Sequence, residues 1–445
     1  MKKQVKKKEY TKEEINNILE ENSRLKKENE SMKKILNSRR FRFAEKVANT
    51  YNALVPEGTG RRKAVRVVAT PARKVNAYKK RSLVRKIEKK IGRNKTVIIL
   101  HSIPWDTPLR QRPHHLAKLL AKKKDVMLIY FEPDEQLKSY REISDSFITV
   151  NSWKIIFDLK HNSSNKYYFF FNNVSNVPYN DVKELKEKGY EIVYEYIDEF
   201  HEDISGSLVN QLEVWKKLPS IKPALVLASA DKLFLDAKKH LKNTKILLSK
   251  NAVIVEDFDY HNFEKETIPS DLKEILKLKK PIVGYYGALA PWLDYKLIAK
   301  AVENNPDLEF VLMGVNYQDA LKSLDLSKKN IHYLGPKDYK ELPKYSRNFD
   351  CAIIPFKTGE IAKGTSPVKL FEYMAMGLPT VGTRDLNECK GYDYVYLAKN
   401  ADEFGSMIKT ALIEGKKQKV KERLLEQAKN NSWQIRVDDI IGNLK

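Results

Sequence analysis

The sequence predicts an α/β protein of two doubly wound, parallel-sheet domains facing a cleft, preceded by a helical and strongly basic arm. Three observations carry that prediction. From residue 95 onward, short apolar runs rich in β-branched and aromatic residues alternate with amphipathic stretches, the pattern of strand and helix crossover units. The runs fall into two series, separated by a stretch at 256–280 that holds Asp257, Asp259, Glu264, Glu266 and Pro269. The charge is unevenly placed: residues 1–95 hold 30 Lys and Arg against 10 Asp and Glu, so +20 of the chain's net +24 lies in the first fifth.

The arm divides in two. Residues 1–37 read as a short coiled coil, with Ile15, Ile18, Leu25, Met32 and Leu36 on heptad positions a and d. Asn22 and Asn29 interrupt position a, which would fix the register of a parallel homodimer; a solvated single helix is the other reading. Residues 38–93 space Phe41, Phe43, Val47, Tyr78, Leu83, Val84 and Ile87 among the cations, as in amphipathic helices that lie on an anionic membrane surface. Nucleic acid is the competing partner and is disfavoured, because no nucleic-acid motif accompanies the charge. No stretch approaches the ~20 apolar residues of a membrane span, and the Lys-rich start lacks the apolar core of a signal peptide. A cytoplasmic protein, peripheral at the inner face of the membrane, is expected. Two cysteines, Cys351 and Cys389, make no disulfide framework.

The first domain is expected at 94–255. Thr96 to His101 is its opening buried strand, Pro113 to Ala121 the following helix, and Val126 to Phe131, Tyr167 to Phe171, Glu191 to Tyr196 and Ala224 to Leu227 continue the series. After the linker at 256–280 the second domain, 281–415, repeats the pattern with Pro281 to Tyr286, Glu309 to Met313, Cys351 to Ile354, Thr380 to Val381 and Tyr394 to Leu397. Residues 416–445, with Trp433, read as a closing helix. Two Rossmann-like domains result, and ligands of such open sheets sit beyond the carboxyl ends of the strands, in the cleft between them.

Gly364 to Val381 spells a loop, a short helix and a strand. Ser366 is a good N-cap, Pro367 suits the first helical position, and Gly377 followed by Pro379 supplies the stop. At 100° per residue, Leu370, Phe371 and Met374 cluster on one side, while Thr365, Lys369, Glu372 and Met376 form a stripe on another. The unpaired N–H groups at the helix start and the Lys369 ammonium suit a diphosphate. Glu372, one turn deeper, suits a diol as a double acceptor, so the pair fits a ribose diphosphate. Read from periodicity alone, an amphipathic helix with an exposed Lys and Glu fits equally.

Pro367, Lys369, Glu372, Ala375, Gly377, Pro379 and Val381 together resemble the donor-binding signature of GT-B fold glycosyltransferases of family 4, Pro-x-Lys-x-x-Glu-x-x-Ala-x-Gly-x-Pro-x-Val. The resemblance covers about residues 95 to 445. It implies a nucleotide-sugar donor, expected to be a UDP-sugar, with Glu372 on the ribose and Thr365, Ser366, Pro367 and Lys369 around the diphosphate. It also implies that the closing helix packs back onto the first domain. Members often carry a second glutamate eight residues before the first, where this chain has Gly364. They commonly place an Arg and a Lys after the first strand of the second domain, where this chain reads Gly287-Ala288-Leu289-Ala290-Pro291-Trp292-Leu293-Asp294. Gly287 remains a donor-loop position, and the missing charge falls to Lys369 with the helix end, or to Arg112 from across the cleft.

Arg110-Gln111-Arg112-Pro113-His114-His115-Leu116-Ala117, after His101 to Asp106, resembles the Gln-Arg-Pro-His-His-Leu-Ala signature of a family 4 branch that includes teichuronic acid biosynthesis proteins. Arg112 and His114 are therefore catalytic candidates, against a purely structural helix start. Asp198, delivered to the end of the strand Glu191 to Tyr196, resembles the place where many members have a cleft histidine near the acceptor hydroxyl; an exposed loop acid is the alternative. No cluster has metal-ligand spacing and no Asp-x-Asp pair is placed as in metal-dependent transferases, so neither metal nor other cofactor is expected. The function these readings imply is a retaining glycosyltransferase acting on a cell-envelope polysaccharide or lipid-linked acceptor. A UDP-sugar epimerase of the same fold and a degenerate, membrane-bound scaffold are the other readings.

Overall fold

Val97, Ile98, Ile99 and Leu100 have no exposed surface at all, which leaves their strand no solvent face and places it at the centre of a sheet covered on both sides. The computed structural model describes residues 80–92, 96–107, 110–132, 139–174, 177–205, 208–263 and 267–444. The coiled coil expected at 1–37 and residues 38–79 of the expected membrane-docking segment lie outside the described residues.

The first sheet consists of β1 (Thr96–His101), β2 (Val126–Phe131), β3 (Tyr140–Ser144), β4 (Phe147–Val150), β5 (Lys166–Phe171), β6 (Glu191–Tyr196), β7 (Leu225–Ala228) and β8 (Ile246–Leu248). Their spatial order is β3-β4-β2-β1-β5-β6-β7-β8. Every pairing is parallel except β3 with β4. The second sheet, β9 (Ile282–Tyr286), β10 (Glu309–Met313), β11 (Ile331–Tyr333), β12 (Cys351–Ile354), β13 (Thr380–Thr383) and β14 (Val395–Ala398), is parallel throughout in the order β11-β10-β9-β12-β13-β14. The expected fold class holds. In each sheet the first strand of the series has neighbours reached in opposite directions, β2 and β5 around β1, β10 and β12 around β9, so each sheet has a crevice at the carboxyl end of that strand.

The sequence pattern missed β3, β4, β8 and β11. The edge strand β3 is polar and largely exposed, and β8 and β11 have three residues each, too few to show a period. Four helices bear on the cleft and on the joint between the domains: α1 (Arg112–Leu120), α2 (Asp231–His240), α3 (Val368–Ala375) and α4 (Trp433–Asn443).

Two expectations are corrected. Residues 83–91 are helical and turn Val84, Ile87 and Ile91 into the first-domain core, with Leu83 packed against it. Their spacing of three and four makes one apolar face, and that face is filled by protein rather than open to a bilayer. The basic segment therefore ends before this helix and not at residue 93. The closing stretch is two helices rather than one. Gln418–Asn430 buries Val420, Leu424 and Ala428 against the second domain, whereas α4 places Trp433, Val437 and Ile440 in the core of the first. The break falls at Asn431 and Ser432, where Ser432 Oγ accepts the Ile435 N–H and caps α4. At the break, Val253 N–H donates to the Asn431 carbonyl (3.2 Å) and Trp433 N–H donates to the Val253 carbonyl (2.9 Å), so the two places where the chain crosses between domains are bonded to each other.

Candidate functional site

The carboxyl ends of β9, β10 and β12 face those of β5 and β6 across a cavity of about 300 Å³. Its floor is made by two glycines. Gly287 (φ 135°) and Gly314 (φ 144°) follow β9 and β10 in backbone conformations that side chains rarely adopt. A Cβ on Gly314 would sit 1.7 Å from the Gly287 carbonyl oxygen, and one on Gly287 would sit 2.7 Å from Lys369 Cε. The close approach of these strand ends is what lets the Lys369 side chain lie over them.

The expected loop, helix and strand unit is present, with its start shifted. Pro367, at φ −70° and ψ 117°, is the N-cap of α3, and Ser366 precedes it. Ser366 Oγ does not cap the helix; it accepts the backbone N–H of Asn251 at 3.1 Å, from the other domain. The first-turn N–H groups of Val368 and Lys369 have no intrahelical acceptor by the geometry of a helix end. At the far end Gly377 takes φ 68°, and the Leu378 N–H reaches back to the Tyr373 carbonyl, the closure expected of a glycine there.

Lys369 and Glu372 both line the cavity. The Lys369 ammonium lies 5.5 Å from the centre of the Tyr285 ring and 5.7 Å from that of Phe356. Burial lowers its pKa, against the opposing pull of the Glu372 carboxylate. Glu372 is 5% exposed, and burial pushes its carboxyl up to about 7, with the Lys369 cation and the Tyr286 hydroxyl pulling it back. Tyr286 and Tyr339 line the same wall, the Tyr286 hydroxyl turned to the Glu372 carboxylate and that of Tyr339 to Asp257, both short of full hydrogen-bond geometry. Buried polar groups around a cavity suit a polar ligand. Thr365 also lines the cavity, its Oγ1 donating to the Ile361 carbonyl at 2.6 Å.

The first domain supplies the opposite wall. Asp198, just past β6, accepts from Asn173 Nδ2 at 2.9 Å, while Asn172 holds its backbone on both sides. Burial raises the Asp198 carboxyl to about 6, opposed by the Asn173 bond. Arg110 lines the cavity with its guanidinium 4.9 Å from the centre of the Trp105 ring and its Nη1 donating to the Trp105 carbonyl at 2.7 Å. Lys337, after β11, adds a cation from the second domain, paired with Asp271 at 2.7 Å.

Two sequence candidates take other places. Arg112 borders the cavity, yet it is 2% exposed and its guanidinium is spent on Glu195 (2.8 Å) and on Ser249 (2.8 and 3.0 Å). A cation neutralised by a buried carboxylate is a strut rather than a free phosphate ligand. His114 is absent from the cavity wall. Its Nδ1 accepts the Gln111 N–H at 3.1 Å and its Nε2 meets the Pro104 carbonyl at 3.1 Å, so both ring nitrogens serve the start of α1, and burial lowers its pKa to about 4. His115 stacks on Trp433 at 5.4 Å. Sequence reasoning missed Asn173, Tyr286, Gly314 and Tyr339. The first three end parallel strands, a position that the strand pattern alone marks; Tyr339 has no such signal.

Among the described residues no group of three or more His, Cys, Asp or Glu is arranged to hold a metal, and no helix is long and apolar enough to cross a membrane.

Residues 280–413 match the family described as Glycosyl transferases group 1. A candidate teichuronic acid biosynthesis glycosyltransferase of Bacillus subtilis (strain 168), TuaH, is 35% identical over 119 residues, which is 25% of this chain and 29% of that protein; the match thus spans under a third of the relative. Among solved structures, sucrose-phosphate synthase of Thermosynechococcus elongatus superposes with a TM-score of 0.59 at 12% identity, covering 78% of this chain and 97% of that one. An α,α-trehalose-phosphate synthase (UDP-forming) of Burkholderia xenovorans in complex with glucose-6-phosphate gives 0.58 at 10%, covering 78% and 99%. A trehalose-6-phosphate protein from E. coli bound with UDP-2-fluoro glucose gives 0.56 at 12%, covering 78% and 99%. At these identities the likeness is one of fold, the GT-B arrangement.

Proposed function

We propose that this chain, whose residues 280–413 match the glycosyl transferases group 1 family, is a retaining glycosyltransferase that moves a sugar from a UDP-sugar to a cell-envelope polysaccharide or a lipid-linked acceptor at the cytoplasmic face of the membrane. One observation carries the reading. Lys369 and Glu372 stand one turn apart on α3 and line the same cavity, the cation beside the open N–H groups of the helix start and the carboxylate deeper in. That arrangement fits the diphosphate and the ribose of a nucleotide sugar. UDP is the first nucleotide to test because two fold neighbours are described with uridine nucleotides.

In retaining transfer the bond from the sugar C1 to the diphosphate oxygen breaks, and a bond from C1 to the acceptor oxygen forms on the same face. The acceptor proton passes to the departing phosphate oxygen, so no protein nucleophile is required. The protein's part is to orient both substrates and to stabilise the charge of the leaving group. Lys369 and the α3 N–H groups act on that charge, and Asp198, from the facing wall, orients the acceptor hydroxyl. The basic residues 1–79 would hold the protein to anionic lipid.

Calorimetry of the full chain with a panel of nucleotide sugars, followed by nucleotide release assays on envelope glycans and lipid-linked sugars, tests the proposal. Binding of one nucleotide sugar and acceptor-dependent release of its nucleotide are expected. Equilibration of the sugar without acceptor would make the protein an epimerase, and absence of any nucleotide-sugar binding would remove the transferase reading.

A further inference from the structure

Asn251, three residues past β8, holds Ser366 by its hydroxyl and its carbonyl. Its backbone N–H donates to Ser366 Oγ at 3.1 Å and its Nδ2 donates to the Ser366 carbonyl at 2.6 Å. Its Oδ1 accepts from Arg112 Nη1 at 3.3 Å. Arg112 is fixed in turn by the fully buried Glu195 carboxylate of β6 and by Ser249. A line of polar contacts therefore runs from the middle of the first sheet to the residue just before α3, and it passes from one domain to the other at Asn251.

We infer that Asn251 is a positioning residue for the phosphate-binding start of α3, braced by Arg112; this deepens the donor reading and rests on it. The open N–H groups of Val368 and Lys369 serve an anion well only if they are held in place before it arrives. Within its own domain the loop is fastened by Thr365, whose Oγ1 donates to the Ile361 carbonyl and whose N–H donates to the Ala362 carbonyl, and by the Pro367 carbonyl, which accepts the Leu370 N–H. Asn251 adds the anchor from across the cleft. It also engages Ser366 Oγ, so both bonds act on the residue that precedes the Pro367 N-cap.

The test uses the full chain with Asn251→Ala, Ser366→Ala and the double variant. Amide hydrogen exchange over residues 364–370 is followed without ligand, and affinities for UDP, GDP, ADP and the matching nucleosides are measured by calorimetry. Asn251→Ala is expected to speed exchange in that segment and to weaken the nucleoside diphosphate that binds wild type by about tenfold, the size of one hydrogen bond, with nucleoside affinity unchanged. Ser366→Ala added to Asn251→Ala should speed exchange further, because it removes the Asn251 N–H to Ser366 Oγ bond that Asn251→Ala leaves in place. Exchange over 364–370 that stays at the wild-type rate overturns the inference whatever the ligand, and so does an equal loss for nucleoside and diphosphate. Failure of every nucleotide to bind wild type overturns the donor reading instead, and the ligand-free exchange result tells the two failures apart. Should Asn251→Ala not fold, Asn251→Asp keeps the size and the contact with Arg112 while losing the Nδ2 donor and adding a negative charge, so its ligand-free exchange over 364–370, rather than its diphosphate affinity, carries the comparison.

Discussion

Burial drives Lys369 and Glu372 in opposite directions: one turn apart on α3, the ammonium is lowered from its usual pKa and the carboxyl is raised to about 7. Each is the other's main compensating charge, and among the described residues neither stands in a close ion pair. A dianionic diphosphate beside the lysine and a diol beside the glutamate would complete both.

Glu372→Ala should abolish tight donor binding while the fold survives, since a buried carboxylate with a raised pKa contributes little to stability. Loss of hydrogen bonds to a charged acceptor costs about 1.5 to 3 kcal/mol, roughly a tenfold to hundredfold rise in dissociation constant. Calorimetry with the donor and a thermal melt check both halves, and an unchanged dissociation constant removes Glu372 from the site.

Donor affinity should depend on pH through the same residue. The ribose needs the ionised carboxylate, so binding should strengthen as pH rises through about 7 and level off above it. The ligand-free fold should run the other way. A carboxyl whose folded pKa is raised stabilises the native state fully below its ordinary value of 4.5, and that contribution is lost as pH rises through about 7. Titrating affinity and melting temperature in parallel, with Glu372→Gln as the flat control, checks the sign of each.

Lys369→Ala should weaken nucleoside diphosphates more than the matching nucleoside, by roughly tenfold or more for the former. Equal losses for both ligands would contradict a phosphate role.

Gly314→Ala should be more damaging than any of these. Its Cβ would meet the Gly287 carbonyl at 1.7 Å, at a φ of 144° that strains any side chain. A loss of at least about 1 to 3 kcal/mol of stability is expected, read as a fall in the denaturation midpoint.

Deletion of residues 1–82 should leave a folded body that binds nucleotide sugar but no longer sediments with anionic vesicles. The full chain should lose its own sedimentation as salt rises past the ~8 Å Debye length of physiological buffer. Cutting at residue 95 should destabilise the body further, because it also removes Val84, Ile87 and Ile91 from the core, each worth about 1.5 to 3 kcal/mol when fully buried. Sedimentation of the 83–445 form as strong as that of the full chain would move the docking role into the body.

Most of the fold was legible because parallel strands buried on both faces read as unbroken apolar runs. Thr96 to His101, Val126 to Phe131, Glu191 to Tyr196, Glu309 to Met313 and Cys351 to Ile354 coincide with strands residue for residue. Lys369 and Glu372 were legible because their spacing is local to one helix. What stayed hidden depends on contacts between distant residues. Arg112 reads as a free cation until Glu195 is seen beside it, 83 positions away, and nothing local to Ser366 shows that its hydroxyl meets Asn251, 115 positions away, with the N-cap one residue on at Pro367. Val84 and Ile87 read equally as membrane-facing or core-facing, since an apolar helix face does not say what covers it.

The paired crossings at Val253 and Asn431–Trp433 have a mechanical meaning. Two chain passages bonded side by side make one joint, with Trp433 seated in the first-domain core. Asn251 lies two residues from that joint, so the polar link to Ser366 and the two chain crossings concentrate the connection between the domains in one place.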